Sequence, residues 1–400
     1  MIRGFTWQPT AGRRAGPIGC LARALISERL LMKSRIVGNL QRIYNPPAFQ
    51  GNLSRDSYFE GWYFKLVTAD EGRRFALIPG ISLDRVRGTS HAFLQTIDGD
   101  TAETQYHELP LGAFRADRGV FRFDLGRSHF SSTSIELDVD DEQGRLTGSI
   151  ELTELFPWPR RLLAPGVMGW YSFVPFMECY HGLVSLDHGL RGELTVNRET
   201  IDFTGGRGYT EKDWGTSFPS GYTWMQSNHF GRPRTSCMAS IARIPWLGAH
   251  FTGYLAALLV EGELYGFATY TGATLHDLHI GRDRIRFHLR DRHHRLEIDA
   301  SRSPEGEAAA RDGVVLLRSP TMGEMKRRTG EALTAYMDVR LFRRQRTGRD
   351  RLLFEGTGTS AGLEIETTQE QMESTALTTS ATLKRLFPSK GRRWNQRARS

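Results

Sequence analysis

Cysteine is scarce in this chain. Three occur in 400 residues, Cys20, Cys179 and Cys237, far apart and without a CxxC pair. An odd, scattered set argues against a disulfide framework or a cysteine-based zinc site, and it favours a reducing compartment. Long apolar runs are missing too. "PIGCLARALI" falls well short of the about 20 residues that span a bilayer, and arginines interrupt the apolar run that a signal peptide would need. The sequence therefore predicts a soluble, cytoplasmic protein, with Met32 as an alternative start. No HExxH, GxSxG, P-loop or dinucleotide-binding glycine pattern is present, and no helix follows "GGRGY" at 205–209 to hold a phosphate. Chemistry carried by protein side chains alone is the expectation, with no cofactor. Helical patterning is confined to Ala24–Ile43 and a turn near Glu370–Ala376.

The net charge of +8 points to nucleic acid until it is located. Residues 1–42 and 384–400 together carry +14, which leaves −6 on residues 43–383. A phosphate-binding groove is built into a fold, and this interior segment is mildly acidic, so no nucleic-acid partner is expected. The basic ends are solvated tails or contacts for an anionic membrane surface.

What the chain has in quantity is glycine (42 residues), aromatic side chains (10%) and period-two alternation. In "SYFEGWYFKLV", Tyr58, Glu60, Trp62, Phe64 and Leu66 share one face, and Phe59, Gly61, Tyr63, Lys65 and Val67 the other. "GVFRFDLG" alternates Phe121, Phe123 and Leu125 with polar partners. Hairpins are predicted with turns at Asp141–Gly144 and Glu261–Gly262, and two more in "DRIRFHLRDRHHRLEIDA" and "AYMDVRLFRRQRTGRDRLLFEGTG". Recurrent strands with turn signals predict antiparallel sandwiches or barrels. A weak duplication supports two such units. "EGWYFKLVTADEGRRFALIPGIS" and "YTWMQSNHFGRPRTSCMASIARIP" each open with a tryptophan strand and return as an apolar strand ending near proline. The expected organisation is a basic extension (1–44), a first β domain (45–200), a second (201–383) and a basic, poorly ordered tail (384–400).

Candidate chemistry concentrates in two places. Glu60 lies in an aromatic strand. If its face points inward, desolvation raises the carboxyl pKa and makes it a proton donor near neutral pH. The opposite register, with Phe59 and Tyr63 inward, is equally apolar. The second place is "GYTEKDWGTSFPSGYTWMQSNHF" at 208–230. Glu211, Lys212 and Asp213 precede Trp214. Beyond them Tyr222, Trp224, Gln226 and Asn228 share one strand face, and Thr223, Met225, Ser227 and His229 the other. Glu178 and His181 in "MECYHG" have a spacing that suits a helix better than a strand, a weak metal signal.

"YFEGWYFKL" at 58–66 and the 208–230 segment, with its E-K-D-W-G, F-P and W-x-Q core, resemble the tocopherol cyclase family. "MECYHGLVSLDHGLRGEL" at 177–194 is similar to the form found in bacterial relatives. The resemblance extends over about residues 44–370 and implies two lipocalin-like β domains. It also implies cofactor-free ring closure: a prenyl double bond is protonated, and a ring phenol oxygen traps the resulting cation. By that resemblance the acid is Glu60, Glu211 or Asp213. The aromatic faces are Trp62, Tyr63, Trp214, Tyr222 and Trp224, and Gln226, Asn228 and His229 hold the phenol or quinol head. A carrier of isoprenoid or lipid without catalysis, and a hydratase or cyclase acting on another alkene, remain as alternatives.

Overall fold

The computed structural model describes residues 41–175, 177–246, 249–303 and 313–375. The expected basic extensions lie almost wholly outside the described residues, as does most of the predicted N-terminal helix. Among the described residues, α-helix is limited to 41–43 and 369–375, and strands account for most of the rest.

The strands form two antiparallel sheets. The first contains β1 (Ser57–Val67), β2 (Arg74–Asp84), β3 (His91–Asp98), β4 (Glu103–Pro110), β5 (Phe114–Ala116), β6 (Arg122–Leu125), β7 (Ser128–Ser131), β8 (Ser134–Asp141), β9 (Gly144–Thr153), β10 (Cys179–Val196), β11 (Glu199–Asp202) and β12 (Arg207–Gly215). Their order is β4-β3-β2-β1-β12-β10-β9-β8-β7-β6-β5, with β11 on β10. The second contains β13 (Tyr222–Ser227), β14 (Ser236–Trp246), β15 (Ala249–Val260), β16 (Glu263–Ala268), β17 (Thr274–Ile280), β18 (Arg284–Arg290), β19 (His294–Ser301), β20 (Val314–Thr321), β21 (Glu324–Arg343) and β22 (Arg351–Ile365). Its order is β16-β15-β14-β13-β22-β21-β19-β18-β17, with β20 on β21.

The two orders follow one plan. Four strands linked by hairpins come first, and the last strand of the unit returns to pair with the first: β12 on β1, β22 on β13. The duplicated tryptophan segments supply those first strands, β1 and β13. The predicted hairpins form in the predicted register, with Asp141 opposite Gly144 and Val260 opposite Glu263.

The junction between units differs from the sequence expectation. The chain passes from one sheet to the other between Gly215 and Tyr222, not near residue 200. Near residue 200 the chain only reverses within the first sheet, from β10 through β11 to β12. The 208–230 segment is therefore the crossing itself, with β12 in one sheet and β13 in the other.

Each sheet encloses a core of its own. The first is aromatic, built around Trp62, Phe64, Phe123 and Phe130. The second holds Met225, Phe287, Met337 and Leu363. A third cluster joins residues of both sheets, including Met168, Tyr209, Tyr222, Trp224 and Met238. Polar ties pin the sheets together. Gln95 Nε2 donates to the Arg318 carbonyl (3.2 Å), and Arg318 N–H donates back to Gln95 Oε1 (2.9 Å). Buried Lys65 reaches across to the Ser360 carbonyl at 2.8 Å. Asn228 donates to the Gly208 carbonyl at 2.9 Å.

Candidate active site

Between the sheets lies a cavity of about 170 Å³, walled by β1, β12, β13, β21 and β22 and by the 216–221 crossing. Its walls are mostly apolar and aromatic, with Phe59, Phe93, Phe218, Tyr222 and Trp224 prominent. A smaller apolar pocket adjoins it and shares Met168, Ala242, Ile244 and Leu255. Two glycines in register, Gly61 and Gly80, help to open it. A Cβ on Gly80 would meet the Glu60 carbonyl at 2.6 Å and the Phe93 ring at 2.7 Å, so only glycine fits there.

Strand alternation decides which candidates reach this space. On β1, Phe59, Gly61 and Tyr63 face the cavity. Glu60 and Trp62 face the first sheet's own core, where both are fully buried. The alternation itself was read correctly; the face that meets the cavity is the other one. Shifting by one residue exchanges the two faces of a strand. Glu60 instead forms a buried ion pair with Lys212 (2.6 Å) and accepts hydrogen bonds from the Tyr58 hydroxyl and the Gln50 N–H (2.9 Å). Trp62 stacks on Phe123 at 4.2 Å and donates its indole N–H to the Pro47 carbonyl.

The same rule sorts β12. Trp62 is opposite Lys212 and Tyr63 is opposite Glu211. Lys212 thus points away from Glu211, into the first core, between the Trp62 and Trp214 rings at 4.7 and 4.9 Å. Trp214 stacks on Tyr180 (5.5 Å) and does not line the cavity. Glu211 and Asp213 do line it, as do Tyr222 and Trp224 from β13. Gln226, Asn228 and His229 are buried farther along and outside the cavity wall. Gln226 keeps both amide atoms without a partner among the described residues. Asn228 holds Asp187 and the Gly208 carbonyl, and burial pulls the His229 imidazole down to about 3. Of the expected residues, the cavity therefore gathers Tyr63, Glu211, Asp213, Tyr222 and Trp224; Glu60, Trp62, Trp214, Gln226, Asn228 and His229 lie elsewhere.

His181, on β10, completes the group. It stands opposite Asp213 across the strands, and its Nδ1 lies 2.9 Å from Asp213 Oδ1. Its Nε2 is 3.5 Å from Glu211 Oε2. That oxygen also accepts the Trp224 indole N–H (3.1 Å) and the Tyr209 hydroxyl. Burial raises the Glu211 carboxyl to about 7, against the opposing pull of His181. Burial lowers His181, but Asp213 and Glu211 outweigh it and lift the imidazole to about 9. The result is a row, Asp213–His181–Glu211, that can hold or release a proton at the cavity face near neutral pH. The ligand atoms of these three residues lie within 4.8 Å of one another, so this is also where a cation could be held among the described residues.

Sequence reasoning weighed His181 only with Glu178, along one strand. Its real partners are cross-strand, and that register was not readable. It missed Glu331 and Glu364 altogether, both of which line the same cavity. The available signal was a glutamate set among small and apolar residues, in "GEALTAYM" and "SAGLEI".

Comparison with known proteins agrees with the motif reading. A segment of 205 residues, 49% of this chain, is 27% identical to the probable chloroplastic tocopherol cyclase of Oryza sativa subsp. japonica, and 25% identical to the chloroplastic tocopherol cyclase of Zea mays. The match spans 41% of the length of each of these relatives. Among solved structures, CghA with Sch210972 is similar over 78% of this chain and 89% of that one (TM-score 0.48, 12% identity). Kievitone hydratase from Nectria haematococca is similar over 78% and 89% (TM-score 0.42, 11% identity). No helix among the described residues is long and apolar enough to cross a membrane. The family model described as tocopherol cyclase-like matches residues 138–367, more than half of the chain, and the chain belongs to that family.

Proposed function

We propose that this protein catalyses the acid-driven ring closure of a prenylated phenol or quinol to a chromanol, in the cavity between its two sheets. One observation carries the reading: the buried carboxyl of Glu211, beside His181 and Trp224, opens onto an apolar, aromatic space. An ordinary glutamate with a pKa near 4.3 is protonated in only about one molecule in 500 at pH 7. Burial lifts Glu211 out of that range, to about 7, so it can exchange a proton with a bound substrate near neutral pH.

The chemistry is an isomerisation, so atoms balance within the substrate. The alkene π electrons take a proton at the less substituted carbon and leave a tertiary cation. A lone pair of the phenol oxygen forms the C–O bond, and the phenolic proton departs to a base. Aromatic faces beside the cation lower its energy. Trp224 and Tyr63, edge to face at 5.4 Å, and Tyr222 line the cavity and would supply such faces. The apolar walls limit water, which would otherwise capture the cation as an alcohol. The cavity, about 170 Å³, offers room for a phenol head and the first isoprene unit, and a longer chain would continue into the adjoining pocket at Met168 and Ile244. Family membership and the tocopherol cyclase relatives support this reading.

The test is incubation with a geranylated hydroquinone, followed by chromatography and mass spectrometry. The expected product has unchanged mass and a chromanol ring. Glu211→Gln should lower turnover about a hundredfold or more with substrate affinity retained. Gain of one water would indicate a hydratase. Tight binding without conversion would indicate a carrier, and either result overturns ring closure.

A further inference from the structure

The cavity has a second acidic wall, in the other sheet. Glu331 on β21 is fully buried and stands directly opposite Glu364 on β22. Glu364 in turn stands opposite Trp224 on β13, and all three line the cavity. The Tyr63 hydroxyl crosses from the first sheet and donates to Glu331 Oε1 at 2.6 Å. Glu331 Oε2 is buried and has no donor among the described residues. The two carboxyl groups are cross-strand neighbours on one cavity wall, and a hydrogen bond between them requires a proton on one of them.

Other groups around the pair do not neutralise it. From β1 come Tyr63 and Lys65, from β12 Glu211, from β13 Tyr222, and beyond β22 Glu366. Lys65 is itself buried and spends its ammonium on the Ser360 and Gln226 carbonyls. Two adjacent carboxylates in a low-dielectric wall cannot both ionise at modest cost. Burial raises Glu331 to about 8, with the nearby Glu211 charge adding to the effect. Burial and then Glu331 push Glu364 well above the ordinary glutamate range. Glu211 differs from both: it accepts two hydrogen bonds and has the imidazole of His181 beside it, all of which favour its ionised form.

We propose that the Glu331–Glu364 pair is the acid that protonates the alkene, and that Glu211, backed by His181 and Asp213, receives the phenolic proton. The assignment rests on the ring-closure reading and gives each wall of the cavity one half of the reaction. With a proton on each carboxyl at the start, the O–H bond of one breaks and a substrate C–H bond forms from the alkene π electrons. One proton and one negative charge then remain on the pair, shared between the two carboxyls. The phenol oxygen closes the ring, and its proton passes to a Glu211 oxygen. One proton has then moved from the second sheet to the first. Tyr63, hydrogen-bonded to Glu331 and cross-strand partner of Glu211, is the hydroxyl that connects the two for its return.

The experiment has two readouts on the full-length protein and its Glu331→Gln and Glu364→Gln variants. The first is infrared difference spectroscopy at pH 7 in the absence of substrate, which reports the carbonyl stretch of protonated carboxylic acids. The band should be present in the parent and reduced in each variant. The second is turnover of the geranylated hydroquinone, which should fall about a hundredfold or more in each variant, with affinity for the chromanol little changed. Absence of the band, its full survival in both variants, or parental turnover in both overturns the proposal. A parent with the band but no turnover sinks ring closure while the acid pair stands. Turnover without the band leaves ring closure standing and removes the pair.

Discussion

Glu60→Gln separates structure from chemistry, because Glu60 resembles a catalytic acid in sequence and is a buried ion-pair partner in the fold. Glu60 and Lys212 are both fully buried, 2.6 Å apart. The substitution removes the only carboxylate paired with Lys212 among the described residues, and leaves its ammonium on the Pro46 and Ala48 carbonyls. Breaking a buried pair from one side costs about 3–5 kcal/mol. An amide still accepts one hydrogen bond, so the lower end, about 3 kcal/mol, is expected. That corresponds to a fall in Tm of roughly 10 °C for a domain of this size. The Lys212 ammonium supplies a second, pH-dependent sign. Burial lowers it from 10.5 to about 8 despite Glu60, so the unfolded chain holds the extra proton between those values. The slope of stability with pH is therefore positive from about 8 to 10.5. Removing Glu60 lowers the Lys212 value further and extends that rising window below 8. Urea unfolding at pH 7 and pH 9 measures both effects. The double variant Glu60→Gln/Lys212→Met should recover most of the loss, since no unpaired charge remains. Folded Glu60→Gln should turn over substrate at nearly the parental rate. An unchanged unfolding midpoint, or a stable variant without activity, would refute this account of Glu60.

Activity should follow a bell-shaped pH profile. It falls below about 7 as Glu211 takes up a proton and can no longer accept one. It falls above about 8 as the Glu331–Glu364 pair loses its own, and a monotonic profile would contradict the two-wall assignment. Gly61→Phe should fill the cavity, because a Cβ there meets only ordinary contacts beyond 3.7 Å and the larger ring projects into free space. Ligand affinity should drop at least tenfold with Tm held or raised, read by titration of chromanol fluorescence and by calorimetry. Gly362→Ala places a Cβ 2.6 Å from the Trp224 ring and should displace it, costing about 1–3 kcal/mol in unfolding free energy and lowering turnover together.

Much of the fold was legible because its signal is local. Alternation in "GVFRFDLG" gave the inward set Phe121, Phe123 and Leu125, all buried, and hairpin turns such as Asp141–Gly144 set their own register. The duplication was visible because both units open with a tryptophan strand. What the sequence does not state is which face of a strand meets a second unit. Both faces of β1 are buried, so its polarity pattern cannot choose between Glu60 and Tyr63. Trp62 and Trp224 occupy similar places in the two repeats but face different spaces, one a sheet's own core and the other the gap between sheets. The junction was misplaced for a related reason, since the weak duplication does not fix where the units meet, and the chain near 197–206 returns through β11 to its own sheet. Glu331, Glu364 and His181 were hidden because their roles are cross-strand and arise from residues far apart in the chain. His181 meets Asp213, and Tyr63 meets Glu331, only after both sheets have formed.

The most direct test of the central claim is turnover of a prenylated hydroquinone in D2O, with the chromanol analysed by NMR. Protonation of the alkene by a carboxyl in exchange with solvent predicts one deuterium per product, at the single ring carbon beside the new C–O centre and on one face of it. The label should vanish with the product in Glu331→Gln and Glu211→Gln. A chromanol formed without that deuterium, or with it distributed over both faces, would contradict acid-driven closure within this cavity.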